Sequence, residues 1–323
     1  MFRSTILFTL LLLASASLSA KKGESIFDRW SRTDEKSVEI HLNLDSLLAN
    51  RTTDDVLRGT VVDNGQQFGV DITVRGRFRR RTCVMPPMLL QFDKDVLRLA
   101  GLNTHNDYKL VTHCTGDERG QDAILREELI YDLYRILEPE ASFRTQLLTV
   151  NYVNTADGTT FTSYAILIED TDELKDRLDR DNCEDCFNAP YASFENAEKV
   201  ALFQYLVGNV DYSTQVGRNL KLMRNEAGRI TAVPYDFDFS GLVSPSYGRL
   251  MHPGQDAMTD RFLVWDFATT PDLTRVAGEF LLVEEEILQT IAEYPELCDQ
   301  SKREITRYVK QFYKQLDKGK IAL

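Results

Sequence analysis

The chain has 323 residues, 43% of them hydrophobic and 27% charged, which is enough apolar material to bury a core and excludes a disordered or low-complexity protein. Lys and Arg number 38 against 50 Asp and Glu, a formal charge of −12. That balance argues against a nucleic-acid partner, because phosphate backbones are met by clustered cations.

The first 20 residues have the order of an export signal. Arg3 supplies a positive start, residues 6–13 form an apolar core broken only by Thr9, and small-x-small sites end at Ala16 and Ala20. The apolar stretch is short for a membrane helix, which needs about 20 residues. The expectation is an exported protein, periplasmic or extracellular, with no membrane span once the signal is removed.

Alternation then marks strands: Val38, Ile40, Leu42 and Leu44 in one, Phe68, Val70, Ile72 and Val74 in the next. Residues 88–92 and 108–112 read as two more. The period changes at Ile124, Ile130, Leu133 and Leu137, which predict a helix over 122–137 that ends before Pro139. Strands over 146–153 and 161–168 follow, joined by a turn at Ala156, Asp157 and Gly158.

Beyond Asp170 the pattern is mainly helical. Phe194, Ala197, Ala201, Leu202 and Tyr205 make a helical stripe, with Ser193 as its N-cap. Two short strands around Leu220 and Ile230 flank a turn at 225–228, and a long loop runs from 239 to 271. Ser301 and Glu304 form a capping box ahead of Ile305, Val309, Phe312 and Leu316. Strands, one helix, strands and then helices predict an α+β protein of two lobes. Residues 21–170 would form a strand-rich N-terminal lobe and 171–323 a mainly helical C-terminal lobe. A ligand is expected in any cleft between them.

Five cysteines in an exported chain imply disulfides. Cys83 and Cys114 each flank a predicted strand and are expected to pair. Cys183 and Cys186 form a lone CxxC, which lacks the second pair of ligands a zinc site needs and reads as a local disulfide. Cys298 is left over. His113 and His252 are isolated and read as structural.

Chemistry concentrates in residues 209–241. Asp211 follows a helix end on a loop, Asn219 opens a short strand, and Asp236 and Asp238 lie two residues apart on an extended segment. Such carboxylates suit a divalent cation, which takes hard oxygen ligands. A carboxylate base, an amide ligand and a metal-binding carboxylate are what phosphoryl transfer to a hydroxyl requires. Upstream, Arg75, Arg77, Arg79, Arg80 and Arg81 are either a solvated strand face or a phosphate or carboxylate site.

The runs GNVDYS, GRNLKL and VPYDFDFSG resemble the catalytic half of the spore-coat protein H (CotH) kinase-like family, atypical secretory protein kinases. That resemblance implies an atypical protein-kinase-like fold of two lobes. It gives Asp211 the catalytic role, Asn219 and Asp236 the metal, and Asp238 a second metal position. VRGRFRRR, DYKLVTHC and LREELIYDLY match the family more loosely. They put Arg75, Arg77, Lys109, Arg126 and Glu127 at the nucleotide, with Lys109 pairing Glu127 or Glu128 as kinases pair a strand Lys with a helix Glu. SYAILIED would be the hinge strand. Two departures stand out: no Gly-rich loop is present, and the arginine run is dense. The implied cofactor is ATP with magnesium or manganese, and the implied reaction is phosphoryl transfer to a protein hydroxyl. Two alternatives stay open on the same residues: a catalytically inactive kinase-like surface protein, and a divalent-metal-dependent binding module or hydrolase.

Overall fold

The computed structural model describes residues 23–32 and 36–321; the expected signal segment, residues 1–20, lies outside them. The chain opens with a short helix, α1 (Ile26–Ser31), held by a reciprocal cap between Ser25 and Asp28. Seven strands follow: β1 (Ser37–Leu42), β2 (Leu57–Asp63), β3 (Gln66–Val74), β4 (Met88–Phe92), β5 (Asp107–Thr112), β6 (Thr145–Asn154) and β7 (Thr160–Ile168). Three short helices, α2 (Leu44–Ala49), α3 (Arg79–Thr82) and α4 (Lys94–Leu99), and one long helix, α5 (Glu118–Leu137), lie between them.

These strands close into one barrel in the order β1-β2-β3-β4-β5-β7-β6. Neighbours are antiparallel except at the seam, where β1 runs parallel to β6 from Ser37 opposite Thr149 to Leu42 opposite Asn154. Alternation is what makes closure favourable, since one face of every strand can be buried inside while the other faces outward. Ile40, Phe68, Val70, Ile72, Tyr108, Leu110, Val150 and Leu167 fill the interior, and Trp30 of α1 packs against Phe92 with ring centroids 6.0 Å apart.

The second half begins with α6 (Thr171–Leu178) and β8 (Asp181–Asn182), then a 3-10 turn (Tyr191–Ser193) and α7 (Ala197–Val207). A hairpin of β9 (Leu220–Arg224) and β10 (Ile230–Pro234) joins β8 in a three-stranded sheet ordered β10-β9-β8. Three helices end the described chain: α8 (Thr274–Leu282), α9 (Glu284–Glu293) and α10 (Asp299–Asp317).

The expected two-lobed kinase-like fold, with a strand-rich first lobe and a helical second, is not what forms. The first strands make a closed barrel, and the later half carries a sheet of its own beside its helices. One continuous apolar core joins the two halves, from Val111, Ile166 and Ile168 on the barrel's outer face through α5 to Phe237, Phe280 and Phe312. Alternation reports that strands exist but carries no information on which edges pair, so barrel closure was not legible locally.

Several boundaries also move. β2 is a strand that sequence reading passed over. Leu44 leaves β1 and starts α2 behind an Asn43 cap. Helix α5 starts at Glu118, capped by Asp117. Ser193 lies in the 3-10 turn, and Asn196 precedes α7. Helix α10 starts behind Cys298, so Ser301 and Glu304 lie inside it and form no capping box.

Cys83 and Cys114 are bonded, as are Cys183 and Cys186, and Cys298 is free. Two disulfides fit an oxidising compartment. No helix among the described residues is long and apolar enough to cross a membrane.

Candidate functional site

The site grows from the end of α7. Gly208 takes φ +69 there, donating to the carbonyls of Gln204 and Tyr205, and a Cβ at this position would meet the Tyr308 hydroxyl at 2.0 Å. Only glycine meets both demands. The chain then turns, and the Asn209 side chain accepts the Asp211 N–H at 2.9 Å. This loop brings Asp211 to the open end of the β9–β10 hairpin.

Two residues at that end hold left-handed backbone, Asn219 at φ +53 and Asp236 at φ +63. Asn and Asp tolerate this region better than most residues, and such strain concentrates at functional sites. The Asn219 carbonyl accepts the Tyr235 N–H at 3.1 Å, and the Asp236 N–H donates to the Tyr131 hydroxyl at 3.0 Å. The Asn219 amide nitrogen donates to the Asp211 carbonyl at 2.6 Å and approaches its carboxylate at 3.3 Å. The amide nitrogen is thereby committed, and Oδ1 is the end left to meet a cation.

Asp236 is the electrostatic hub. Its negative charge acts on Asp211, Asp238, Glu127 and Arg75. Burial raises the Asp211 carboxyl above its ordinary range, and the charge of Asp236 adds to the rise, while Arg218, Asn219 and Arg249 oppose it. Asp211 Oδ1 is buried without a hydrogen-bond partner among the described residues, though the Arg218 guanidinium lies 3.3 Å away. Asp238 is more deeply enclosed. Burial and then Asp236 raise its carboxyl strongly, and its nearest cation is Arg79, at 3.9 Å.

Cations stand on the barrel side. Burial lowers Arg75 below its ordinary range, with Asp236 acting in the opposite direction. Lys109 lies on the outward face of β5, donates to the Thr171 hydroxyl at 2.9 Å and stands 5.5 Å from the centre of the Phe143 ring. Burial first, then Arg75, lowers its amine to about 8. Lys221 on β9 is another half-buried amine lowered by burial, and its charge reaches Lys109.

The expected pairing of Lys109 with Glu127 or Glu128 does not form. Glu127 pairs with Arg79 at 3.2 Å, Arg79 also donates to the Thr112 carbonyl, and Glu128 accepts from Thr145 at 2.9 Å. The reason is reach. Arg79 is brought over α5 by α3, whereas Lys109 is drawn to Thr171 at the start of α6. Arg126 stands apart from the cluster and ties α5 to α10, meeting Asp122 at 2.6 Å and Glu304 at 2.7 Å. Arg77 is exposed between β3 and α3. Arg80 is spent on Asp54 and on the carbonyls of Arg51 and Thr53.

The structure thus gathers Asp211, Asn219, Asp236, Asp238, Arg75 and Glu127, with Lys109 at the edge. It adds Arg79, which the sequence offered only as one of a run of five arginines, and four residues with no expected role: Tyr131, Lys221, Tyr247 and Arg249. Phe78 packs on Phe239 and Tyr247, and the Arg249 guanidinium lies 3.9 Å from its ring centre. Arg79 was visible in the arginine run, but its burial against Glu127 depends on the fold. Nothing in their local sequence singles out the other four.

Among the described residues, the one group of three His, Cys, Asp or Glu ligand atoms within 4.8 Å of one another is Cys183, Asp185 and Cys186. The disulfide occupies both sulfurs, so that group is no zinc site. Three surface cavities open elsewhere, one along α10, one around Arg177 and Lys199, and one around His113 and Ser163. Compared with known proteins, the chain matches no family model and no curated protein.

Proposed function

We propose that this site transfers a phosphoryl group from ATP to a hydroxyl of a protein substrate, outside the cytoplasm. The observation that carries the reading is the convergence of Asp211, Asn219 and Asp236 at one hairpin end, with Arg75 in the field of Asp236 and Lys109 next to Arg75. The reading rests on those residues and on the resemblance of their three sequence runs to spore-coat protein H kinases, not on a kinase fold. The two disulfides support an extracytoplasmic place, periplasmic or extracellular.

The residues fit a divalent cation. The mutually repelling carboxylates of Asp236 and Asp238 and the oriented amide of Asn219 make a donor set that a cation would neutralise. Asn219 and Asp236 would hold magnesium or manganese, with Asp238 as a further ligand, and the ion would neutralise phosphate charge. Arg75 and Lys109 would bind phosphate oxygens. The Asp211 carboxylate would accept the proton of the attacking hydroxyl, and its raised basicity favours that role.

One observation favours a second reading, in which nucleotide binds without transfer. Glu127 is held by Arg79 and is not paired with Lys109, so the Lys–Glu grip of active kinases is absent here.

Thermal unfolding with and without ATP and manganese tests both readings. Bound ligand raises apparent stability by about 2.7 kcal/mol at a hundredfold excess over its dissociation constant. Stabilisation by ATP is expected only with the metal, and Asp236→Ala is expected to abolish it. Asp211→Asn is expected to keep that stabilisation and lower the transfer of radiolabelled phosphate by about 10²–10⁴-fold. Stabilisation without any transfer supports the binding-only reading. ATP without effect at saturation overturns both.

A further inference from the structure

A separate feature lies on the far C-terminal helix. The protein carries a formal charge of −12, yet one face of α10 presents Lys302, Arg303, Arg307, Lys310 and Lys314 along a single groove of about 640 Å³, whose lining includes one carboxylate, Asp299 at the start of the helix. None of these five cations forms an ion pair within 4.0 Å among the described residues; the charge of Arg307 is felt by Glu304, which is itself held by Arg126. The opposite face of α10, Ile305, Val309, Phe312 and Leu316, is buried in the core, so the helix cannot roll to hide its charges. Arg303, Arg307, Lys310 and Lys314 are exposed.

We propose that this groove docks an extended acidic segment of a partner protein. The spacing supports that occupant. From Arg303 to Lys314 the row runs about 16 Å at 1.5 Å per residue, with steps of about 6, 4.5 and 6 Å. An extended peptide presents alternate side chains about 6.6 Å apart, so four Asp or Glu at alternate positions of a seven-residue run span about 20 Å, a mismatch with the row that the long Lys and Arg side chains can take up. Thr306 and Gln311 line the same groove and offer hydrogen bonds to a peptide backbone.

Other polyanions fit less well. A bilayer is held by an inserted apolar face as well as by charge, and α10 has no apolar side left to insert. A long nucleic acid would extend past the groove into the field of an acidic molecule, whereas a short segment stays within about one Debye length, about 8–10 Å, of the cations.

The test uses the whole protein and a fluorescein-labelled peptide of alternating Glu and Gly, followed by fluorescence anisotropy. Binding is expected at low salt, weakening at high salt, and falling at least about tenfold in the double variant Arg307→Gln/Lys310→Gln. Arg307→Lys/Lys310→Arg, which keeps the charges, is expected to bind as the parent does. Circular dichroism confirms that each variant is folded. Absence of binding at low salt, or binding unchanged in the charge-removing variant, overturns the proposal. So does sedimentation with phosphatidylglycerol vesicles that depends on these residues when the peptide does not bind, which would assign the face to a membrane.

Discussion

Glu128 shows how a single buried carboxyl links the barrel to pH. Its Oε1 accepts from Thr145 and its Oε2 is buried without a partner among the described residues. Burial first, and the charge of Asp132 second, raise it from an ordinary 4.5 to about 8. The folded protein therefore holds a proton that the unfolded chain has released, so stability is full below the unfolded value and is lost as pH rises through the folded one. Glu127 is raised in the same direction, to about 7, chiefly by burial. Glu128→Gln keeps the acceptor for Thr145 and is expected to remove a slope of roughly 1.4 kcal/mol per pH unit across that window. Urea unfolding at about pH 5, 6.5 and 8 measures the slope; an unchanged slope in the variant would place the titration on another group. At the site itself, the same scale explains why Asp236→Ala is the decisive substitution. It removes the charge that acts on Asp211, Asp238, Glu127 and Arg75 at once.

At the level of elements, the Cys83–Cys114 disulfide fixes α3 against the end of β5. The bond spans 31 residues, the Cys83 N–H donates to the Arg79 carbonyl, and the Val84 N–H donates to the Cys114 carbonyl. Arg79 is thus carried on a turn that the disulfide holds over Glu127 and Asp238. Replacing both cysteines by serine is expected to cost about 3–4 kcal/mol through the entropy of the unfolded chain. Because the turn that carries Arg79 is freed as well, hydrogen exchange at residues 79–84 should rise by more than the global loss explains. Exchange that follows the global stability alone would separate the disulfide from the site. Ser301 and Glu304 teach a related lesson. They have the spacing of a helix cap, yet Ser301 donates to Asp122 and Glu304 receives Arg126, so both pin α10 to α5.

For the whole molecule, the seam between β1 and β6 is what turns a sheet into a barrel. The paired residues lie more than a hundred positions apart in sequence, and without the seam two unpaired edges would be left open. Ile40 lies fully buried in β1, so Ile40→Ala is expected to cost about 2–5 kcal/mol and to loosen closure. Amides of β1 should then be as protected from exchange as those of β3 in the parent protein. Fast exchange in β1 alone, measured on the parent, would mean that the sheet is open at that edge.

Local physics encodes part of this architecture directly in short stretches of chain. Alternating apolar residues specify the strands around Ile40, Ile72, Leu110 and Ile166, and helical spacing specifies most of α5. The turn chemistry between β9 and β10 was legible from residue type and short spacing, and the pairing of Cys83 with Cys114 from the place of each cysteine beside a predicted strand in an exported chain. Asp211, Asn219 and Asp236 could be grouped because a single loop and hairpin carry them all. Barrel closure, the reach of Arg79 rather than Lys109 to Glu127, and the role of Arg126 in helix packing emerge from long-range contacts. Those outcomes depend on which distant surfaces meet and on which charges must be neutralised once buried, and neither is written in any one stretch of chain.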